Sequence, residues 1–217
     1  MTDDSDSLKD LGRASIQIVH DLKNQLNGLK LYATFLHRRM EKSDRPEDEL
    51  EAIGKLISGL NRAADDLATI VKCGETIELK KQARVDLKKI MQIAYSSLTE
   101  AGKGISFESE PGPLLGEFDM ALLTEALKWI SVVASKGPQD KPELQTIEVS
   151  IGRCATGTTP VAIIEWAGLN HLDHDPFRSF VGSDEIRMSL AAKIVEAHGG
   201  SAELRNNSLF ITLPLSE

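Results

Sequence analysis

Apolar positions recur at helical spacing through the first third of the chain. Leu8, Leu11, Ser15, Ile18, Leu22, Leu26, Leu29, Ala33, Leu36 and Met40 stand three or four residues apart, with one slip. That spacing predicts a stripe along one helix over residues 7–42, roughly 50 Å long at about 1.5 Å per residue. No compact domain of this size encloses so long a helix, so it requires a partner helix. Leu50, Ile53, Ile57, Leu60, Ala64, Leu67 and Val71 supply one. Between them lies Ser43-Asp44-Arg45-Pro46-Glu47, a short loop with Asp44 as a cap and Pro46 at a helix start. Gly74 reads as the stop of the second helix. The pair is expected to form an antiparallel hairpin. Each helix then leaves one side of its stripe exposed, and dimerisation into a four-helix bundle is the simplest cover.

After Gly74 the periodicity changes. Residues 77–85 read as a strand or extended segment. Residues 86–101 read as a helix with Leu87, Ile90, Ile93, Ala94 and Leu98 on one face. Ile105-Ser106-Phe107-Glu108 alternates like a strand before Pro111-Gly112-Pro113, and residues 119–136 are helical. Residues 146–151 and 161–166 read as strands, and 184–198 as a helix stopped by Gly199-Gly200. Ala202-Glu203-Leu204 and Leu209 to Leu213 form a terminal hairpin around Asn206-Asn207. Helices and hairpin-like strand pairs together predict an α+β class: a helical hairpin over residues 1–75, then an α/β sandwich over 76–217.

Composition narrows the function classes. The 217 residues are 41% hydrophobic and 27% charged, as in an ordinary globular protein. Only 5% are aromatic, so the core must be mainly aliphatic. The net charge of −8 argues against general nucleic-acid binding and against adhesion to an anionic membrane. No apolar run approaches the roughly 20 residues needed to span a bilayer. The acidic start, Met1-Thr2-Asp3-Asp4-Ser5-Asp6, is unlike a secretory signal. Cys73 and Cys154 have neither metal-type nor disulfide-type spacing, so a cytoplasmic setting is expected.

The candidate chemistry sits in Val19-His20-Asp21-Leu22-Lys23-Asn24-Gln25-Leu26. With Ile18 and Leu22 on the buried stripe, His20 falls on the solvent side. Arg13, Gln17, Asn24 and Asn27 share its face, with Lys23 at the edge. An exposed imidazole is a nucleophile toward phosphorus when one ring nitrogen is free of its proton. Asp21 is placed to take a hydrogen bond from the other nitrogen and favour that tautomer. Asn24 is placed to orient a water, and Ile16 and Leu31 offer a docked protein an apolar grip. His171-Leu172-Asp173-His174-Asp175 lacks partner ligands and reads as a polar loop. His37 reads as part of a solvated face, and His198, at a helix C-terminus, as a structural cation.

His20-Asp21-Leu22-Lys23-Asn24-Gln25-Leu26 on a hairpin's first helix resembles the phospho-acceptor box of sensor histidine kinases. Residues 7–74 look like that family's dimerisation and phosphotransfer hairpin. Residues 76–217 look like the ATP-binding domain shared by histidine kinases and gyrases. Gly116-Glu117-Phe118-Asp119 with Leu123 to Leu127, Ile194 to Gly200, and Thr212-Leu213-Pro214 carry that second resemblance. The nucleotide positions depart from the pattern. Trp129 and Val133 stand where the family has asparagines that hold magnesium and triphosphate. Trp166 stands where it has the aspartate that bonds adenine. Ser183-Asp184-Glu185-Ile186-Arg187-Met188 replaces a glycine-rich phosphate turn, with only Asn170 and a displaced Gly182 as substitutes. Rings at these places are expected to fill a cavity.

The resemblance therefore implies a histidine phosphotransferase with a degenerate ATP-binding domain. Its expected partners are a second copy of itself and the receiver domains of response regulators. No cofactor is expected on this chain, the magnesium belonging to the partner receiver. A divergent kinase, a regulator phosphatase using Asp21 and Asn24, and a non-catalytic pseudokinase binding module remain open.

Overall fold

The computed structural model describes residues 3–43, 45–100, 105–136, 147–154, 160–172 and 174–216. The chain divides into two compact units, Met1–Thr76 and Ile77–Glu217.

The first unit is a helical hairpin of α1 (Asp3–Met40) and α2 (Glu47–Gly74). Glu47, Asp48 and Glu49 open α2 and His37, Arg38 and Arg39 close α1, each sign matched to the helix dipole. Pro46 stands one position before α2, and its carbonyl accepts the Glu49 N–H at 3.2 Å. Asp44, expected as a cap, lies outside the described residues. Gly74 is the last helical residue rather than a left-handed stop, and extended Glu75 returns its N–H to Val71 and Lys72. Gly74 has a different use. A Cβ there would stand 2.7 Å from Ile16 Cδ1, so the glycine admits that side chain.

The single apolar stripe expected on α1 is in fact two. Ile16, Val19, Leu26, Ala33 and Met40 are buried or half-buried, whereas Ile18, Leu22, Leu29 and Leu36 stay between 44% and 60% exposed. One partner helix covers one heptad seam, and the second lies about a fifth of a turn further round at about 100° per residue.

The second unit contains β1 (Gln82–Asp86), α3 (Leu87–Glu100), β2 (Ile105–Ser109), β3 (Leu115–Phe118), α4 (Met120–Ala134), β4 (Ile147–Cys154), β5 (Val161–Ala167), a 3-10 turn (Pro176–Arg178), α5 (Ser183–Ala197), β6 (Ser201–Arg205) and β7 (Ser208–Pro214). β1 and β3 form a separate antiparallel ribbon. The main sheet runs β2-β4-β5-β7-β6, with only β2 and β4 parallel. On one face Val149, Ile151, Ile164, Trp166, Leu209 and Ile211 form the core with α3, α4 and α5, while Glu108, Glu148 and Ser150 face outward. This is the expected α+β sandwich. β3 was not expected, because the Pro111-Gly112-Pro113 stretch before it reads as loop. Of the strand or extended segment expected over 77–85, the strand begins at Gln82, and residues 75–81 before it are irregular. The β6–β7 hairpin turns through Asn206 and Asn207, both left-handed at φ 46° and 60°, the conformation a two-residue turn demands.

One polar cluster ties this unit together. Asp119 caps α4 by accepting from the Leu122 N–H at 3.1 Å and also accepts the Lys80 N–H at 2.8 Å. Its own N–H donates to His198 Nε2 at 3.0 Å, while His198 Nδ1–H donates to the Ile194 carbonyl at 2.8 Å. Both ring nitrogens are therefore committed in the neutral tautomer, and the cation expected at His198 is wrong. Burial lowers the His198 pKa, outweighing the Ile194 carbonyl; Lys81 lowers it further and Asp119 opposes. Next to it Gly200 is obligatory, since a Cβ would meet the Thr212 carbonyl oxygen at 2.0 Å.

An unfolded histidine takes its proton near about pH 6.5, the buried one only lower. The His198 contribution to stability is thus complete above that value and lost as pH falls through the folded pKa. The denaturant midpoint of this unit is expected to drop between about pH 7.5 and 5.5. His198→Gln, which keeps a donor and an acceptor but does not titrate, should show a smaller drop, measured by denaturant unfolding at both pH values.

Candidate functional site

His20 lies in the first half of α1 with its side chain 53% exposed. Its polar neighbours come from the same helix. Asn24 Nδ2 is 3.4 Å from His20 Nδ1, and Asp21 Oδ1 is 3.6 Å from the same nitrogen. The second distance is too long for a hydrogen bond. The Asp21 carboxylate instead accepts from Gln17 Nε2 at 3.1 Å, so Gln17 holds it in place as an electrostatic neighbour. Both groups approach Nδ1, which leaves Nε2 as the ring atom turned away from them. Among the described residues no ion-pair or hydrogen-bond partner within the helix competes for it.

The other expected site residues separate into two sets. Gln17, Asn27 and Leu31 are exposed on the His20 side. Ile16 and Lys23 are half-buried, Ile16 against Gly74, so they border the α2 seam rather than stand clear of it. The Arg13 side chain lies outside the described residues. Two residues escaped the sequence reading. Tyr32 and Phe35 are exposed by 71% and 61%, about two and three turns beyond Asn24. At about 100° per residue Leu31 and Phe35 lie within about 60° of the His20 direction. Their signal is aromatic side chains that fall outside both apolar seams of the helix, beside the exposed Leu31. His37 sits 3.4 Å from Glu41, consistent with a partly solvated pair.

In the second unit the tryptophans differ. Trp166 is fully buried and donates from Nε1 to Ser131 Oγ at 3.1 Å, while Ser131 donates to the Leu127 carbonyl at 2.7 Å. Tyr95 is buried beside them, and its ring meets Phe107 edge-on at 5.7 Å. Burial pushes the Tyr95 phenol far up, against the pull of hydrogen bonds with Ser131 and Trp166. Trp129, expected to be buried too, is only half-buried, whereas Val133 is buried. At the start of α5, Asp184 is paired with Lys136 and lies 4.0 Å from Arg187. Asn170 accepts from Asn207 Nδ2 at 2.9 Å. Asp175 caps the 3-10 turn through the Phe177 N–H at 2.9 Å, as a polar loop residue does. Among the described residues no cluster of histidine, cysteine and carboxylate side chains is placed to hold a metal, and no helix is long and apolar enough to cross a membrane.

No family model and no curated protein matches this chain. Solved structures do. ShkA, full-length in complex with AMPPNP, superposes over 92% of the chain with a TM-score of 0.66 at 18% identity. The chain has the fold of a histidine kinase. The histidine kinase AdeS of Acinetobacter baumannii superposes over 91% of it, with a TM-score of 0.53 at 15% identity. The chain spans 45% of the ShkA chain and 97% of the AdeS chain. In that kinase fold α1 and α2 are the helical hairpin and residues 77–217 the ATPase-type domain.

Trp166 anchors the ATPase-type domain. Trp166→Ala is expected to lower stability by about 3–5 kcal/mol through the cavity it opens and to leave Ser131 without its donor, measured by denaturant unfolding monitored by circular dichroism.

Proposed function

We propose that the chain is a histidine phosphotransfer protein of a two-component phosphorelay. His20 takes a phosphoryl group from the aspartyl phosphate of one response-regulator receiver domain and returns it to the aspartate of another. The observation that carries this is the His20 environment: an exposed ring whose polar neighbours all lie on the Nδ1 side. The Nε2 lone pair attacks phosphorus, the bond from phosphorus to the aspartyl oxygen breaks, and the receiver regains its carboxylate. For this the ring carries its proton on Nδ1 and the Asn24 amide turns its oxygen rather than Nδ2 toward it, and the Asp21 charge at 3.6 Å stabilises the developing cation. Transfer in the other direction reverses each step. Catalysis rests on proximity and charge neutralisation, with magnesium supplied by the acidic pocket of the receiver. Leu31, Tyr32 and Phe35 give the receiver an apolar footing, and Gln17 and Asn27 a polar one.

We read the ATPase-type domain as a nucleotide-free element. Support comes from Trp166, which is fully buried where the family's adenine-binding aspartate would stand. It comes also from Asp184 and Glu185 in the first turn of α5. Carboxylates there occupy the end of the helix that favours an anion and would repel a phosphate. These residues do not fit a nucleotide.

We also propose a homodimer through the hairpin. Ile18, Leu22, Leu29 and Leu36 form an exposed seam along α1 that a second copy would cover, each half-exposed side chain contributing about half of the roughly 1.5–3 kcal/mol of a full burial.

Mixed with a phosphorylated receiver domain, the wild-type chain is expected to acquire an acid-labile phosphoryl group that His20→Ala does not acquire. An equal transfer rate for the two proteins contradicts the proposal. Charge on the exposed seam tests the dimer independently. Ile18→Glu with Leu29→Glu is expected to sediment as a monomer at concentrations where the wild type sediments as a dimer.

A further inference from the structure

A cleft of about 600 Å³ lies where β2, β4 and β7 end, within the second unit. Glu110, Pro111, Pro113, Leu115, Arg153 and Ser216 line it. The phosphotransfer chemistry proposed above uses none of these residues.

Two polar groups here have unused capacity. Glu110 spends its carboxylate on the backbone: Oε2 accepts the Arg153 N–H at 2.7 Å, and Oε1 is 3.9 Å from Arg153 Nε. The guanidinium is thereby held by a loose ion pair and one long bond from Nη2 to the Pro113 carbonyl at 3.3 Å. Half of the Arg153 side chain is exposed, and its remaining donors bond no described protein group. Ser216 is anchored by its backbone N–H on the Leu115 carbonyl at 2.9 Å, yet its hydroxyl is buried without a protein partner. An unpaired buried hydroxyl is uncommon, because it has lost water without gaining a bond. Both groups belong to one concavity whose other walls are Pro111, Pro113 and Leu115.

We infer that this cleft binds a carboxylate carried on an apolar body. A guanidinium fork matches a carboxylate in two parallel bonds, and the Ser216 hydroxyl donates a third. The proline and leucine walls take the apolar part. The charges favour a monoanion over a phosphate. Lys88 donates its ammonium to the Glu110 carbonyl, and Asp86 accepts the Lys88 and Leu114 N–H groups at 3.1 and 3.2 Å, so Lys88 and Arg153 are balanced by Glu110 and Asp86, and a single negative charge meets less repulsion there than a double one. The carboxylate comes either from a free small acid or from the C-terminus of a partner polypeptide.

The test is nuclear magnetic resonance titration of the full chain, following the Arg153 Nε–H and Ser216 N–H signals. The probes are N-acetyl-leucine, its amide, and a hexapeptide with a free C-terminal leucine. N-acetyl-leucine is expected to shift both signals saturably with a Kd of order 1 mM, and the amide to leave them in place. Arg153→Gln is expected to weaken binding about tenfold or more, and Ser216→Ala several-fold. Arg153→Lys, which keeps the charge but loses the fork, should stay closer to Arg153→Gln than to wild type. His20→Ala should bind as wild type, so failure of phosphotransfer leaves this result untouched. A hexapeptide that binds at least as tightly as the acid identifies a polypeptide C-terminus as the source; one that binds more weakly identifies a free acid. The inference is overturned by equal shifts from acid and amide, by the absence of saturable shifts, or by wild-type affinity in Arg153→Gln with its spectrum otherwise unchanged.

Discussion

A helix of 38 residues has more surface than one neighbour can cover, and that constraint organises the first unit. α1 must satisfy three directions at once. Ile16, Val19, Leu26, Ala33 and Met40 meet α2, while Ile18, Leu22, Leu29 and Leu36 form a second apolar seam open to solvent. His20, Asn24, Asn27 and Leu31 take the third. Because side chains in a helix are fixed in angle by their sequence position, the seam packed on α2 turns the His20 face outward. Exposure of the imidazole is thus a consequence of packing on the α2 side of the helix rather than of anything near the ring.

The second unit solves a different problem. Its sheet carries a tryptophan near the end of β5, and an indole N–H buried there must find an acceptor. Ser131 on α4 supplies it and passes its own proton to the Leu127 carbonyl. At the opposite end of α4, Asp119 joins the helix N-terminus to Lys80, and through its N–H to His198 at the end of α5. A domain with the kinase ATPase architecture is thereby held by side-chain and backbone bonds internal to the protein.

The sequence makes much of this fold legible, for identifiable reasons. The hairpin is written in heptad spacing with one slip, and the Asn206-Asn207 turn in residues that tolerate left-handed backbone. β3 is hidden because four residues after a proline-rich loop give period-two alternation no room to declare itself. The two seams of α1 are hidden because a list of apolar positions does not say how many partners share it. His198 misleads because its place at a helix end favours a cation, while burial and the Asp119 N–H, both tertiary, require a neutral ring. At the candidate site the residues sharing the His20 face follow from spacing alone. That Gln17 rather than His20 engages Asp21, and that Lys23 borders the α2 seam, depends on rotamers and packing that spacing does not contain.

The central claim is that His20 receives its phosphoryl group from another protein. Two parallel reactions test it most directly, each analysed for label on His20 by mass spectrometry. One contains the chain with labelled ATP and magnesium, the other the chain with a labelled phosphoreceiver domain. Label on His20 in the receiver reaction alone is the predicted result. Label on His20 from ATP alone would contradict the account and make the chain a kinase whose nucleotide site tolerates Trp166.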